Sequence, residues 1–421
     1  MIPAFSHQIA VRMPFFYGYV MIPVAMLVQI ATSPGQTFAI SAFTPYLRES
    51  LQLSDSQLSL AYMLGTLLAA FPLALVGPLS DRYGLRGVTL IAIAMLSAAC
   101  YFASTVVNFY SLLGAFFLLR FLGQGSLSLL SGNVISMWFR SRIGRVSAAM
   151  SIGTAIAFAW IPDWIHASIT MIGWRETYEC LALIVAVTML PIVIFLFCNR
   201  PEDVGQTVDG IRVTKPEQTL ESVETSAASL TMHQAIRCRA FPILAASNTV
   251  WAMAGTGIVF YLFTLCADLG FEASVPADLF KTFGLMMLLT QLVGGVLADF
   301  LPLNRLLTLG TVMLSGGLGS VAWGHTELTL HGFAALFGAG QGMLLAVGNV
   351  IWVRYFGRAH LGSIRGTVWC CTVAGSGCGP LLMGIARDAW GGFGPALYLF
   401  LGLMAGLSLV ALLATPPVTD S

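Results

Sequence analysis

One arginine stands out among the residues that could do chemistry, because it lies deep inside a long apolar run. Arg120 is about ten residues into the run 110–137, near the centre of a membrane if that run crosses one. A charge at that depth costs at least about 2.5–3.5 kcal/mol, so it must face protein or water. Gln124 follows one helical turn later on the same face. The pair predicts either a polar solute cavity or an arginine bonded to backbone carbonyls.

Polar and indole side chains also lie inside other apolar runs. These further substrate-cavity candidates are Gln36, Asn248, Trp251, Gln291 and Gln341. Hydrogen bonds between helices, worth about 0.6–2 kcal/mol each, are the alternative role for the amides, and ordinary packing is the alternative for Trp251.

A carboxylate and an imidazole lie three residues apart in the run 145–169. Asp163 and His166 therefore share a helix face and could relay a proton, although a polar pair in an outer vestibule is the alternative. Two ligands are too few for a metal site. The sequence predicts no metal, no cofactor and no catalytic residue.

The elements that must position these residues follow from composition. Of 421 residues, 57% are hydrophobic and only 9% are charged, and the mean hydropathy is +0.83. Soluble domains carry about 25% charged residues. The net charge of +1 offers no field to a polyanion. These values exclude a soluble enzyme, a disordered chain and a nucleic-acid binder, and they favour membrane-spanning helices.

Twelve apolar runs predict twelve membrane-spanning helices. They fall at about 17–43, 57–79, 88–106, 110–137, 145–169, 177–197, 241–266, 279–299, 306–324, 330–353, 365–386 and 395–414. A polar stretch lies at 198–240, and within it the residues from Asn199 to Thr231 lack a sustained apolar period and predict a mobile linker. We therefore expect an all-α protein with a six-helix bundle at 1–197, a linker at 198–240 and a second six-helix bundle at 241–421.

The basic residues predict the orientation. With the N-terminus in the cytoplasm, 15 of the 20 Lys and Arg residues fall in cytoplasmic segments and 3 in outer loops. We expect a multi-pass protein of the cell (inner) membrane, monomeric, with both termini and the linker cytoplasmic.

The two halves of the chain repeat each other. Gly123-Gln124-Gly125 is matched by Gly340-Gln341-Gly342 at an offset of 217, and Phe139 is matched by Phe356 at the same offset. Between these two matches the offset changes by one residue, and it then returns to 217. Six plus six helices related by a repeat are typical of transporters, whose site lies between the halves.

The segment Gly77–Gly87, GPLSDRYGLRG, resembles the loop 2–3 signature of the major facilitator superfamily. Arg120 with Gln124-Gly125 is similar to the fourth-helix pattern of that family. The resemblance implies the twelve-helix fold of two pseudo-repeated bundles. Within the signature, Gly77, Asp81, Arg82, Gly84 and Arg86 are expected to serve the conformational change, with Gly77 allowing close approach of another helix.

Several less specific sequence motifs resemble those of the monocarboxylate-porter and oxalate:formate-antiporter branch of the family. They are Ser33-Pro34-Gly35-Gln36, Gly173-Trp174-Arg175, Gly379-Pro380 and Arg387-Asp388. Members of that branch often carry a carboxylate-binding arginine in the eighth span. The corresponding position here is Gln291, which leaves the substrate class open.

The sequence predicts a secondary active transporter of a small organic solute, for which a monocarboxylate or related organic anion is one candidate and a coupled proton is a candidate partner. The alternatives are an exporter of a neutral or amphiphilic solute and a non-transporting sensor on a transporter fold. An intramembrane enzyme is disfavoured because the chain has no HExxH motif. Neither of its two lysines, Lys215 and Lys281, follows a glycine as an ATPase P-loop requires.

Overall fold

The computed structural model describes residues 13, 15–139, 142–210, 230–272, 274–324, 326–357 and 360–416, apart from the side chains of 143, 144, 147, 148, 349 and 361–363. Within these residues the regular structure is helical throughout and contains no strand. Twelve helices are long and apolar enough to cross a membrane, and we number them spans 1 to 12. Their bounds are Gly18–Ser50, Asp55–Tyr83, Leu85–Ser104, Phe109–Trp138, Ala149–Ile172, Trp174–Leu196, Ala240–Asp268, Val275–Phe300, Leu303–Trp323, Glu327–Phe356, Ile364–Trp390 and Gly394–Leu413.

The twelve predicted runs are confirmed, and local sequence explains where several of the helices begin. Asn108 caps span 4, where its side chain accepts from the Ser111 backbone N–H, and Thr326 caps span 10 in the same way. Span 1 continues to Ser50, beyond the apolar run that ends near 43, with Pro45 inside the helix and Arg48 in its last turn.

Two spans depart from regular α-helix where the candidate site lies. Span 1 consists of Gly18–Ala31, a 3₁₀ turn at Ser33–Gly35 and Thr37–Ser50. Pro34 lacks an N–H and cannot continue the first helix, which accounts for the break. Span 4 widens into a π-helical segment at Arg120–Leu127. Span 6 has a shorter π segment at Val185–Met189.

The chain packs as two units. The first contains Met1–Leu53 and Leu64–Gln218, and the second contains Ser54–Met63 and Thr219–Ser421. The start of span 2 thus belongs to the second unit, whereas the sequence-based division places all of that span in the first bundle. The boundaries at 197 and 241 remain predictions.

Each unit has its own buried core. In the first, the Phe43 and Tyr178 rings stack with centroids 3.9 Å apart, and Trp138 is fully buried. In the second, a cluster around Trp352 and Phe356 joins neighbouring ends of several spans. Burial of aromatic side chains of this size is a large apolar contribution to each unit.

The structure describes both ends of the stretch 198–240. The Tyr17 backbone N–H donates to Gln206 Oε1 at 2.8 Å, and Trp138 Nε1 donates to the Cys198 carbonyl at 3.3 Å. A short helix, Met232–Arg237, precedes span 7. Residues 198–210 and 230–240 therefore contain helical turns and hydrogen bonds, and the mobility of the linker stays a prediction. Residues 211–229, the middle of the predicted linker, lie outside the described residues.

Candidate functional site

Arg120 is buried, with 4% of the residue exposed, and it binds groups on two other spans. Its Nε donates to Thr66 Oγ1 on span 2 at 3.1 Å. Its Nη1 donates to the Gly35 carbonyl at 3.2 Å and reaches Thr37 Oγ1 at 3.4 Å. The guanidinium therefore faces protein and joins spans 1, 2 and 4, as its depth requires.

The Gly35 carbonyl is available because span 1 breaks beside it. Only glycine allows the close approach that follows. A Cβ at Gly35 would lie 2.1 Å from the Leu119 carbonyl oxygen, and one at Gly123 would lie 2.9 Å from Gly35 Cα. The broken part of span 1 and the π segment of span 4 thus touch through their backbones.

The π segment lies directly beside the Arg120 contacts. Its wide turn moves carbonyls out of the usual i→i−4 ladder, and Ser126 Oγ compensates by donating to the Phe121 carbonyl, five residues earlier, at 2.8 Å. Such π segments are frequent at functional sites. Here the segment begins at Arg120 itself.

The surroundings of Arg120 carry positive potential. The second helix of span 1 begins at Thr37, so its partly positive N-terminal end lies beside the guanidinium. Gln36 Nε2 donates to Thr32 Oγ1 at 3.1 Å, while Gln124 Oε1 is buried without a hydrogen bond in the described structure. The arrangement can hold an anionic or strongly accepting group of a solute, because donors and positive charge meet at a broken helix.

Three candidate residues of the second unit lie together and one does not. Trp251 Nε1 donates to Gln341 Oε1 at 3.3 Å, and Gln341 Nε2 lies 3.2 Å from Met287 Sδ. Gln291 belongs to the same neighbourhood, since a Cβ at Gly342 would lie 2.9 Å from its backbone nitrogen. Asn248 instead donates to the Leu244 carbonyl of its own helix at 2.8 Å.

Asp163 and His166 lie elsewhere in the first unit. Both are partly buried, and the His166 ring is 6.5 Å from the ring of Tyr46. Tyr46 is nine residues beyond Thr37 on the same helix, which corresponds to about 13 Å along its axis. This pair is therefore not part of the Arg120 cluster.

Some of the signature residues are exposed, and others form hydrogen bonds. Asp81 and Arg82 are exposed, and the Arg82 guanidinium lies 5.3 Å from the centroid of the Tyr83 ring. Gly84 adopts φ +84°, which favours glycine. Arg86 donates from Nη2 to the Ile194 carbonyl at 2.6 Å and from its backbone N–H to Asn199 Oδ1 at 2.8 Å, so the loop is tied to the end of span 6.

Gly77 does not make the close helix contact that the sequence suggested. Among the described residues, no atom that could oppose a Cβ lies within 4 Å of the position it would occupy there. Asp299, which lies 218 residues after Asp81 in the second half, accepts from Arg354 Nη2 at 3.0 Å.

Sequence reasoning missed the groups that hold Arg120. Thr37 and Thr66 carry no distinguishing motif, because threonines are common in apolar spans and bond to their own helix backbone. Ser33-Pro34-Gly35-Gln36 was noted only as a family cue, although its Pro-Gly pair also indicates the helix break. The ion pairs of Asp55 with Arg387, and of Arg387 with Asp268, were missed as well.

The comparisons with known proteins agree with this architecture. The family model of the Major Facilitator Superfamily matches residues 25–279, more than half of the sequence. The chain belongs to the Major Facilitator Superfamily, and it is a multi-pass integral membrane transporter rather than an enzyme. No curated protein matches it in sequence.

Solved structures share the fold at low identity. A bacterial homolog of the human lysosomal transporter Spinster, inward-facing and unoccupied, is 11% identical with a TM-score of 0.70, over 96% of this chain and 99% of that one. The same homolog in an inward-facing, occupied conformation has a TM-score of 0.66 at 12% identity, over 95% and 97% of the two chains. A point mutant of the nucleoside transporter NupG has a TM-score of 0.69 at 12% identity, over 94% and 99%.

Proposed function

We propose that this protein is a secondary active transporter that moves a small organic solute by alternating access, and that Arg120 binds an anionic or strongly accepting group of that solute. One observation carries the proposal. A guanidinium buried in the span region donates to two threonine hydroxyls and one freed carbonyl at a helix break, where the second helix of span 1 begins.

The electrostatics of this cluster favour an anion. The two hydroxyls and the carbonyl that accept from Arg120 are neutral groups, and the N-terminal end of the second helix of span 1 adds to its positive potential. A monocarboxylate or related organic anion suits such a cluster. The resemblance to the monocarboxylate-porter and oxalate:formate-antiporter branch supports the same class, whereas Gln291 in the eighth span removes the second cation that a carboxylate would meet there.

The test begins with ligands and ends with transport. A thermal-shift screen of purified protein against metabolite classes identifies solutes, since a ligand stabilises the state it binds by RT ln(1 + [L]/Kd). Counterflow in proteoliposomes then compares Arg120→Lys and Arg120→Gln with the wild type. An anion held by both arms of the guanidinium is lost in both variants, because lysine lacks the planar fork. If the anion is held only by the positive electrostatic potential of residue 120, its counterflow should continue in the Lys variant.

Arg175 provides a matched control. It also donates to two backbone carbonyls, those of Ser104 and Val106, but it lies at the start of span 6 beside Trp174. Arg175→Gln should change stability without abolishing counterflow. Normal transport of the identified solute by folded Arg120→Gln would refute the anion proposal. It would favour a neutral or amphiphilic solute instead.

Proton coupling is a separate part of the proposal. Asp163 and His166 are its candidates, since a carboxylate and an imidazole on one helix face can exchange a proton with water. Asp163→Asn should flatten the pH dependence of solute uptake while counterflow, which needs no net proton movement, continues. An unchanged pH profile in that variant would remove the pair from the coupling mechanism.

A further inference from the structure

A cluster of ionic and polar contacts holds the start of span 2 against the ends of spans 7 and 11. Arg387 Nη1 donates to Asp55 Oδ2 at 2.6 Å. Its Nε and Nη2 donate to the two carboxylate oxygens of Asp268 at 2.9 and 2.7 Å. One guanidinium thus binds two carboxylates on two different spans, one of them in bidentate fashion.

The neighbouring contacts fasten the same helix end. Asp388 accepts from the backbone N–H groups of Asp55 and Ser56 at 3.2 and 2.8 Å and also from the Ser56 hydroxyl, so it caps span 2 from another span. Tyr261 Oη donates to the Asp55 carbonyl at 2.7 Å. A Cβ at Gly384 would lie 2.6 Å from that same carbonyl oxygen, so spans 2 and 11 touch closely here.

The cluster is partly or fully shielded from solvent. The Asp55 and Arg387 side chains are 6% and 16% exposed, and Asp268 is 36% exposed. Shielding makes the pairs stronger than surface pairs and makes removal of one partner costly, because the other charge is left buried. The ion pair Lys281–Asp278, with 38% and 57% exposure, lies within span 8 alone and lacks this property.

Span 2 passes from the second unit into the first. Ser54–Met63 belongs to the second unit and the remainder of the span to the first. While the cluster is formed, the start of span 2 stays with spans 7 and 11. Alternating access requires the two repeats to rock as bodies. Span 2 can follow the rest of its own bundle only after these contacts break.

We propose that Asp55, Arg387 and Asp268 form a latch whose rupture is an obligatory step of the transport cycle, with Asp388 capping the latched helix. This inference rests on the proposed alternating-access function. Arg387 is the positioning residue of the latch, since spans 7 and 11 retain the Arg387–Asp268 pair when Asp55 leaves. By the orientation predicted from the basic residues, the latch lies at the outer face.

A cysteine behind the latch reports its opening without any solute. Ser59 is fully buried, and its hydroxyl donates to the Asp55 carbonyl at 2.7 Å. Ser59→Cys, made after replacing the eight native cysteines, should react slowly with a membrane-impermeant maleimide in nanodiscs, where the reagent reaches both faces. Adding Arg387→Gln should raise the labelling rate roughly tenfold or more, and Arg387→Lys should give an intermediate rate.

Two further variants keep the test decisive. Asp55→Asn removes one ion pair but leaves Arg387 bound to Asp268, so it should label at least a few times faster than the parent even if Arg387→Gln does not fold. Asp278→Asn breaks the ion pair within span 8 and should leave the rate unchanged. An unchanged rate in Asp55→Asn, or an equal increase in Asp278→Asn, would overturn the latch.

Transport data separate this inference from the proposed function. If labelling depends on the latch but no solute gives counterflow, the transport proposal fails, and the cluster remains only as a closure that holds the start of span 2 against spans 7 and 11. If counterflow is found and labelling ignores the latch variants, the latch fails alone. When both hold, Asp55→Asn should change the maximal transport rate more than the apparent solute affinity, because it acts on the opening step.

Discussion

The contact between the broken span 1 and the π segment of span 4 makes a quantitative prediction for Gly35→Ala. The added Cβ would lie 2.1 Å from the Leu119 carbonyl oxygen and 3.0 Å from Gly123 Cα, where ordinary contacts begin at 3.4 Å. These neighbours are backbone atoms and cannot rotate away. The two spans must therefore separate by about 1 Å.

That separation also weakens the Arg120 site. The bond from Arg120 Nη1 to the Gly35 carbonyl, now 3.2 Å, would lengthen to about 4 Å and cease to be a hydrogen bond. Losing a bond to a charged group costs about 1.5–3 kcal/mol, and overpacking costs about 1–3 kcal/mol. The sum is about 2.5–6 kcal/mol, so the apparent Tm should fall by about 5 °C or more.

The assay is a thermal melt of purified protein in one detergent, with Gly132→Ala as the matched control. Gly132 is in span 4, the partner of span 1 in this contact, but open space lies where its Cβ would be, so alanine there should leave the Tm unchanged or raise it slightly. A Gly35→Ala melt within about 1 °C of the wild type would refute the close backbone contact. Equal losses in both variants would point instead to a general intolerance of alanine.

Three shorter predictions concern other groups. Thr66→Val removes the acceptor of Arg120 Nε at nearly constant shape, so it should cost about 1–3 kcal/mol of stability in melts and weaken binding of an anionic solute in titrations. Asp81→Asn should slow counterflow while leaving the equilibrium affinity of the solute nearly intact; a large loss of binding in folded protein would contradict its conformational role. A cysteine replacing the exposed Glu202, in a background without native cysteines, should resist an impermeant maleimide added outside intact cells. Labelling there would reverse the predicted orientation.

Composition and apolar run length were sufficient for the fold, because a lipid-facing backbone has few ways to satisfy its polar groups. The depth of Arg120 likewise follows from counting along span 4. Its partners do not, since Thr66 lies 54 residues away and nothing in a single sequence pairs them. Gln341 and Trp251 were chosen separately as polar groups in apolar runs, and only the packing of spans 7 and 10 shows that they bond to each other.

The ion pairs of Arg387 with Asp55 and Asp268 could not be predicted from the sequence. Asp55 and Asp268 lie near the ends of spans 2 and 7, where no sequence motif relates them to each other. Their shared partner, Arg387, follows 119 residues after Asp268 and 332 after Asp55. Pairings over such distances depend on tertiary contacts that periodicity does not encode.

The π segment of span 4 also accounts for the slip in the internal repeat. Gly123 and Gly132 are nine positions apart, whereas their counterparts Gly340 and Gly348 are eight apart. Span 10 is one uninterrupted α-helix, so the additional residue of the first half falls where the wide turn Arg120–Leu127 can absorb it.

A one-residue insertion in a regular helix would rotate everything beyond it by about 100° and turn buried faces outward. By taking up the residue locally, the wide turn keeps Gly132 and its neighbours in the same register as their counterparts near Gly348. Up to Gly132 the length difference is confined to the turn that begins at Arg120. It is reversed before Phe139, which lies seven residues after Gly132, whereas Phe356 lies eight after Gly348. Arg120 has no charged counterpart, since the matching position in the second half is Phe337.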